Sequence, residues 1–263
     1  MIDKRVYFLS GLPRTGSTLL GSILSQNPDI HVTPTSPLYS LLVATNEHFN
    51  RLSVQYTYDH EATSRRVYHA MISAFYQHIS EPVVFDKNRG WPKHIPAITE
   101  YLNHDPKIIC TVRPIAEIIT SYLVLADKDP NNFIDTHLKS IDRPINSEER
   151  ATLLWTTYLK SPWECLLAGL NTDRDRLMLV QYRDLVYYPT HIIKAIYDFC
   201  GLDAIDHGYN AIENKCSEAK DEAWGLKGLH EIRPHIGYES RSPREYLPAD
   251  AIRYFETFDE LVK

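Results

Sequence analysis

The chain has 263 residues, 43% of them hydrophobic and 24% charged, which is enough apolar material for a sizeable core and too much for a disordered or fibrous protein. Lys+Arg 28 against Asp+Glu 34 leaves a formal net charge of -6. No whole-molecule basic field exists to hold a nucleic-acid backbone, so any anion site must be local.

In chain order, β-rich runs at Val6 to Ser10, Val83 to Asp86, Lys107 to Val112 and Leu177 to Gln181 alternate with helical patterns. The helices are expected at about 18–26, 37–52, 61–80, 115–126, 147–170, 189–200 and 249–262. This alternation predicts an α/β fold with a mainly parallel central sheet flanked by helices, a P-loop-like three-layer domain. No repeat, low-complexity tract or flexible linker interrupts it, so a single domain is expected over 1–263, with helical inserts at about 36–81 and 127–150. The longest aliphatic stretches, Ile108 to Val112 and Leu123 to Ala126, fall far short of the roughly 20 residues that span a bilayer. Neither a membrane nor a nucleic acid is an expected partner. Cys110, Cys165, Cys200 and Cys216 form no C-x-x-C pair, no N-x-[ST] sequon occurs, and no apolar leader precedes Val6. Reduced thiols and a cytoplasmic location are expected.

Ligands of open α/β sheets bind beyond the carboxyl ends of the strands, and here each such end carries a cation. Gly11-Leu12-Pro13-Arg14-Thr15-Gly16-Ser17-Thr18 follows the first strand, Lys87-Asn88-Arg89-Gly90-Trp91 the second, and Arg113-Pro114 the third. Residues 11–18 fit G-x-x-x-x-G-K-[ST] except that Ser17 stands where the lysine belongs. A glycine-framed turn from strand into helix still aims several N–H groups at one point, reinforced by the helix dipole, and so suits phosphate or sulfate. The lysine that reaches the β/γ-phosphates of a nucleoside triphosphate is missing, which weakens an ATPase or kinase reading. Arg14 supplies a different charge.

Leu9 to Leu20 resembles the 5′-phosphosulfate loop of PAPS-dependent sulfotransferases, in the arginine-containing form of the tyrosylprotein and bacterial members. Cys110-Thr111-Val112-Arg113-Pro114 through Ser121-Tyr122 is similar to that family's 3′-phosphate segment. A strand-end arginine can grip phosphate bidentately, and a serine about two helical turns later can face the same ligand. Val180 to Val186 with Pro189 and Phe199-Cys200-Gly201-Leu202 resembles a third family segment, with Arg183 in place of an acidic residue. An echo near Ser240-Arg241 and Leu247-Pro248 completes the match.

The resemblance implies PAPS (3′-phosphoadenosine 5′-phosphosulfate) as co-substrate, with no metal. It implies Arg14, Thr15, Gly16, Ser17 and Thr18 on the 5′ side, Arg113 and Ser121 on the 3′-phosphate, and Tyr182 and Arg241 on the nucleotide. Phe85 to Trp91 resembles the segment whose lysine lies near the leaving phosphate, which makes Lys87, with Arg14, the implied catalytic pair. The acceptor is a hydroxyl or amine of unspecified kind. A P-loop kinase lacking its usual lysine and a catalytically inactive nucleotide-binding homologue are the alternative readings.

The sequence departs from the family where a base should stand. His31-Val32-Thr33-Pro34-Thr35-Ser36-Pro37 holds no carboxylate, and Arg89 takes the place of the histidine found two residues after the lysine in phenol-type members. His31, Glu47, His60, Glu61 and His94 remain candidates, none of them assigned. His230-Glu231-Ile232-Arg233-Pro234-His235 is one residue too long for a zinc-binding H-E-x-x-H, and Pro234 breaks the helix it needs. The stretch from Asp127 lacks the glycine and the glutamate of a calcium loop, with Asn132 and Leu138 in their places. Tyr39, Phe49, Tyr56, Tyr58, Tyr68, Phe75 and Tyr76 of the first insert offer rings for an acceptor pocket or for the core.

Overall fold

The computed structural model describes residues 4–52, 59–102, 105–215, 221, 225–233, 236–237 and 241–262. Tyr56, Tyr58, Cys216, Pro234, His235 and Ser240 therefore lie outside the described residues, as does the side chain of His60. Five strands, β1 (Arg5–Gly11), β2 (Ile30–Thr35), β3 (Val83–Lys87), β4 (Ile108–Val112) and β5 (Leu177–Gln181), form one sheet in the order β2-β3-β1-β4-β5. Every pairing is parallel.

Parallel neighbours need a crossover between them. α1 (Ser17–Leu24) links β1 to β2, and α2 (Leu38–Leu52) and α3 (His60–Tyr76) lead to β3. α4 (Ile95–Tyr101) leads to β4, and α5 (Ile115–Ala126), α6 (Phe133–Ser140), α7 (Ser147–Leu153) and α8 (Lys160–Thr172) lead to β5. A π-helical stretch at Leu154–Leu159 joins α7 to α8. α9 (Tyr182–Tyr187), α10 (Pro189–Cys200) and α11 (Ala249–Asp259) follow β5. Gly201, left-handed at φ 61, caps α10.

The sheet is buried on both faces, which is why its strands read as continuous apolar runs. Alternate residues enter opposite layers. Val6, Phe8, Val84 and Ile108 pack with Ile72, Ile98, Ile119, Leu166 and Phe255 of the larger helical layer. Tyr7, Leu9, Phe85 and Ile109 pack with Leu20 and Ile23 of α1 and Ile193 and Ile196 of α10. β2 was not expected from the sequence. Its buried apolar residues are only Ile30 and Val32, and Pro34 cannot donate to a ladder, but β2 is an edge strand, where proline is tolerated.

The chain runs from β1 to one side of the sheet, then returns past β1 to build β4 and β5 on the other. Because the strands are parallel, their carboxyl ends share one edge. Register sets Lys87 beside Leu9 and Thr111 beside Gly11, so the loops after β1, β3 and β4 open onto one crevice at the point where strand order reverses. No helix among the described residues is long and apolar enough to cross a membrane.

Candidate functional site

The loop from Gly11 to Gly16 is fixed by close packing at both ends. Gly11 has φ 120, and a Cβ there would sit 2.1 Å from the Thr111 carbonyl oxygen. Gly16, at φ 86, caps α1, and a Cβ would meet the Tyr182 ring at 2.7 Å. Only glycine permits both the conformations and the approaches. Between them Arg14 also adopts a left-handed backbone, φ 61, which a non-glycine residue holds only when its surroundings enforce it. Its Nε donates to Ser121 Oγ at 3.2 Å, and its guanidinium donates to the Leu229 carbonyl. The Thr15 hydroxyl turns inward, 2.5 Å from the Leu12 carbonyl and 2.6 Å from Thr111 Oγ1. Thr15 thus braces the loop while the N-terminus of α1, at Ser17 and Thr18, opens to the cleft.

The opposite wall is one stripe of α5. Glu117, Ser121, Val124 and Leu125 recur at helical spacing along the cleft, and Lys128 follows in the turn after the helix. Arg113, at the end of β4, donates through Nε to Glu117 Oε2 at 2.9 Å, and its guanidinium lies 4.8 Å from the Tyr182 ring centre. Tyr182 therefore sits between Gly16 and Arg113. Lys87 closes the floor. Only 7% of it is exposed, its N–H donates to Thr33 Oγ1 at 2.9 Å, and its carbonyl accepts from Ser36 at 2.8 Å.

The cleft holds about 810 Å³. Arg14, Gly16, Ser17, Thr18, Lys87, Arg113, Ser121, Tyr182 and Arg241 all line it, and Thr15 does not. Among the described residues, Arg14, Lys87, Arg89, Arg113, Lys128, Arg233 and Arg241 face it against the carboxylates Glu117 and Glu231. A chain of net charge -6 thus gathers cations in one low-dielectric crevice, which focuses its field on an anion. Burial pushes the Arg14 pKa below its ordinary value, with Tyr122 opposing that shift and Arg113 adding to it. Burial also raises the Tyr122 phenol, while Arg89 and Arg14 oppose the rise.

The unassigned candidate bases are elsewhere. His31 lies 3.8 Å from Glu81, Glu61 pairs with Arg65, His94 packs edge-on against Tyr39, and none of these or Glu47 lines the cleft. Tyr68 and Tyr76 are core residues. Sequence reasoning missed the segment 228–233, which forms a wall of the cleft. Its His230 forms a close pair with Asp221, Nδ1 to Oδ1 at 2.8 Å. Its only sequence signal was a histidine-glutamate motif that fails as a zinc site.

The sulfotransferase family model matches residues 7–206, about three quarters of the chain. No curated protein sequence matches. Among solved structures, retinol dehydratase in complex with androsterone and the inactive cofactor PAP aligns at 12% identity with TM-score 0.54, covering 100% of this chain and 82% of that one. A sulfotransferase from Mycobacterium avium aligns at 14% identity, TM-score 0.53, with coverage of 98% and 77%. The sulfotransferase domain of the Synechococcus PCC 7002 olefin synthase aligns at 18% identity, TM-score 0.51, with coverage of 97% and 94%. These likenesses show a common fold. With the family match over residues 7–206, they establish that the chain belongs to the sulfotransferase family.

Proposed function

We propose that this protein, as one catalytic domain, moves a sulfuryl group from PAPS to a hydroxyl or amine acceptor. The observation that carries the reading is the meeting of Arg14, Lys87, Arg113 and Ser121 on one cleft, around a phosphate loop without the triphosphate lysine. The site suits a long polyanion. Its loop packs closely on Thr111 and Tyr182, where a Cβ at Gly11 or Gly16 would clash, and backbone N–H groups at the start of α1 are suited to an anion.

When bound, PAPS supplies a phosphosulfate anhydride whose sulfuryl group is the one transferred. The chain's own residues do the rest. The N–H groups of residues 16–18 and the dipole of α1 orient the 5′ anion. Arg113, steadied by Glu117, and Ser121 hold the 3′-phosphate, the feature that separates this nucleotide from 5′-AMP. Tyr182 and Arg241 flank it. Lys87, held by β3, offers a fixed ammonium where charge builds on the leaving oxygen, and Arg14 offers a guanidinium to the equatorial oxygens. The cations of the cleft offset this charge, so the reading calls for no metal.

Calorimetry tests it. 3′,5′-ADP should bind with or without Mg²⁺ and far more tightly than 5′-AMP. Equal affinity for the two nucleotides overturns the 3′-phosphate assignment. Mg²⁺-dependent binding and turnover of ATP, with no binding of PAPS, would make the protein a kinase.

A further inference from the structure

A hydroxyl acceptor sheds a proton as it is sulfated; of the nearby carboxylates, Glu231 is exposed to solvent and two others are engaged. Asp86 is fully enclosed, its two oxygens accepting from Tyr76 at 2.7 Å and Trp91 at 2.8 Å. Glu117 is engaged by Arg113. We propose that His230, oriented by Asp221, takes the acceptor's proton, an inference that rests on the sulfuryl-transfer reading above.

The geometry is that of a base with its positioning partner. Asp221 Oδ1 lies 2.8 Å from His230 Nδ1, and both carboxylate oxygens lie 3.3 Å from the His230 backbone N. One carboxylate thus fixes ring and main chain together. A carboxylate at Nδ1 keeps the ring proton there, which makes Nε2 the nitrogen that accepts. The pair is sheltered, with side chains 15% and 20% exposed, yet His230 lines the cleft.

The segment is also tied to the reacting centre. The Leu229 carbonyl, one residue before His230, accepts from Arg14, and Asp221 is close enough to favour the charged form of that guanidinium. Asn214 Nδ2 donates to the His230 carbonyl at 3.1 Å. Phe133 donates to the Gly225 carbonyl at 2.8 Å, docking the segment on α6. The charges around the imidazole are Asp221 beside it, Arg14 from the phosphate loop, Lys128 from the turn after α5, and Glu231 and Arg233 on the same wall.

In the step itself, the acceptor oxygen forms the new O–S bond. The S–O bond to the 5′-phosphate breaks, and its electron pair leaves with the nucleotide. The acceptor proton passes to His230 Nε2 and from there to solvent. Asp221 holds the ring throughout and acts as a positioning residue.

The test follows PAPS turnover to 3′,5′-ADP against pH, with a low-molecular-weight cell extract as the source of acceptor, for the wild type, His230→Gln and Asp221→Asn. A general base is worth about 10²- to 10⁴-fold. His230→Gln is expected to lose that much in kcat and to lose the acidic limb of the profile, while 3′,5′-ADP affinity stays within a few-fold. Asp221→Asn should lower kcat less than His230→Gln does, with 3′,5′-ADP affinity again within a few-fold. Added imidazole should restore part of the rate to His230→Gly, which a merely structural role does not predict. Near-normal turnover by His230→Gln, or a loss of nucleotide affinity equal to the loss of rate, overturns the assignment. A wild type that binds PAPS but transfers nothing overturns the parent reading and this one together. A wild type that transfers equally with His230→Gln overturns this one alone.

Discussion

Lys87 and Arg113 line one cleft but are assigned to different moments of the reaction, and a paired truncation separates them. Lys87→Ala removes the ammonium and keeps the strand, because the bonds to Thr33 and from Ser36 run through the Lys87 backbone. Loss of one preorganised donor to a transition-state charge costs about 10²- to 10³-fold in kcat, or roughly 2.7–4 kcal/mol. Affinity for 3′,5′-ADP should stay within a few-fold, since the charge Lys87 serves develops only as sulfate leaves. Arg113→Ala acts the other way. A lost charge-assisted bond costs about 1.5–3 kcal/mol, roughly 10- to 150-fold in Kd. The truncation also strips Glu117, only 19% exposed, of its partner at 2.9 Å, leaving a carboxylate beside the proposed phosphate site. The double variant Arg113→Ala/Glu117→Gln should therefore bind 3′,5′-ADP several-fold more tightly than Arg113→Ala alone. Calorimetry and PAPS turnover on the same preparations read both quantities. The reasoning fails if Lys87→Ala weakens nucleotide binding as much as it slows turnover, or if removing the Glu117 charge recovers nothing.

Gly16→Ala should destabilise the fold by about 1–3 kcal/mol, from a strained backbone and a Cβ 2.7 Å from Tyr182, and should weaken 3′,5′-ADP binding. Thermal melts and calorimetry check this, and an unchanged Tm would refute the close packing of Gly16 on Tyr182. Trp91→Phe leaves Asp86 Oδ1 without the donor now at 2.8 Å and should cost about 1–3 kcal/mol near neutral pH. Burial holds the Asp86 pKa above its ordinary value, with bonds from Ser36, Tyr76 and Trp91 pulling it down. A raised native pKa means the fold binds this proton more tightly than the unfolded chain, so its effect on stability worsens as pH rises through the native value. Losing the Trp91 donor widens that gap. The stability deficit of Trp91→Phe in urea titrations should shrink as pH falls toward 4, and a constant deficit would show that the hydrogen bond to the ionised carboxylate contributes little.

What the sequence made legible was local. The glycines of the phosphate loop announce a backbone shape in eight consecutive residues, and β1, β3, β4 and β5 carry unbroken apolar runs because both faces of the sheet are covered. β2 was hidden because an edge strand with a proline buries little. α4 and α9 were hidden by their brevity, at 7 and 6 residues. The cations after three strands could be picked out one by one, but their gathering on one cleft depends on register across the sheet, as with Lys87 beside Leu9. The His230–Asp221 pair was beyond reach. It joins two residues nine positions apart with no periodicity to read, and the motif around His230 was weighed only as a metal site. Thr15 matches a ligand-binding motif, and its hydroxyl is spent on Leu12 and Thr111, a contact that no local pattern announces.

The central claim is that a sulfuryl group leaves PAPS for an acceptor on this cleft. The most direct measurement incubates the protein with [³⁵S]PAPS and a low-molecular-weight cell extract and resolves the labelled products. The account predicts a new ³⁵S-labelled organic product, formed by the wild type and nearly absent with Lys87→Ala. It is contradicted if PAPS binds and the label never reaches an acceptor, or if the two proteins yield the same amount of product.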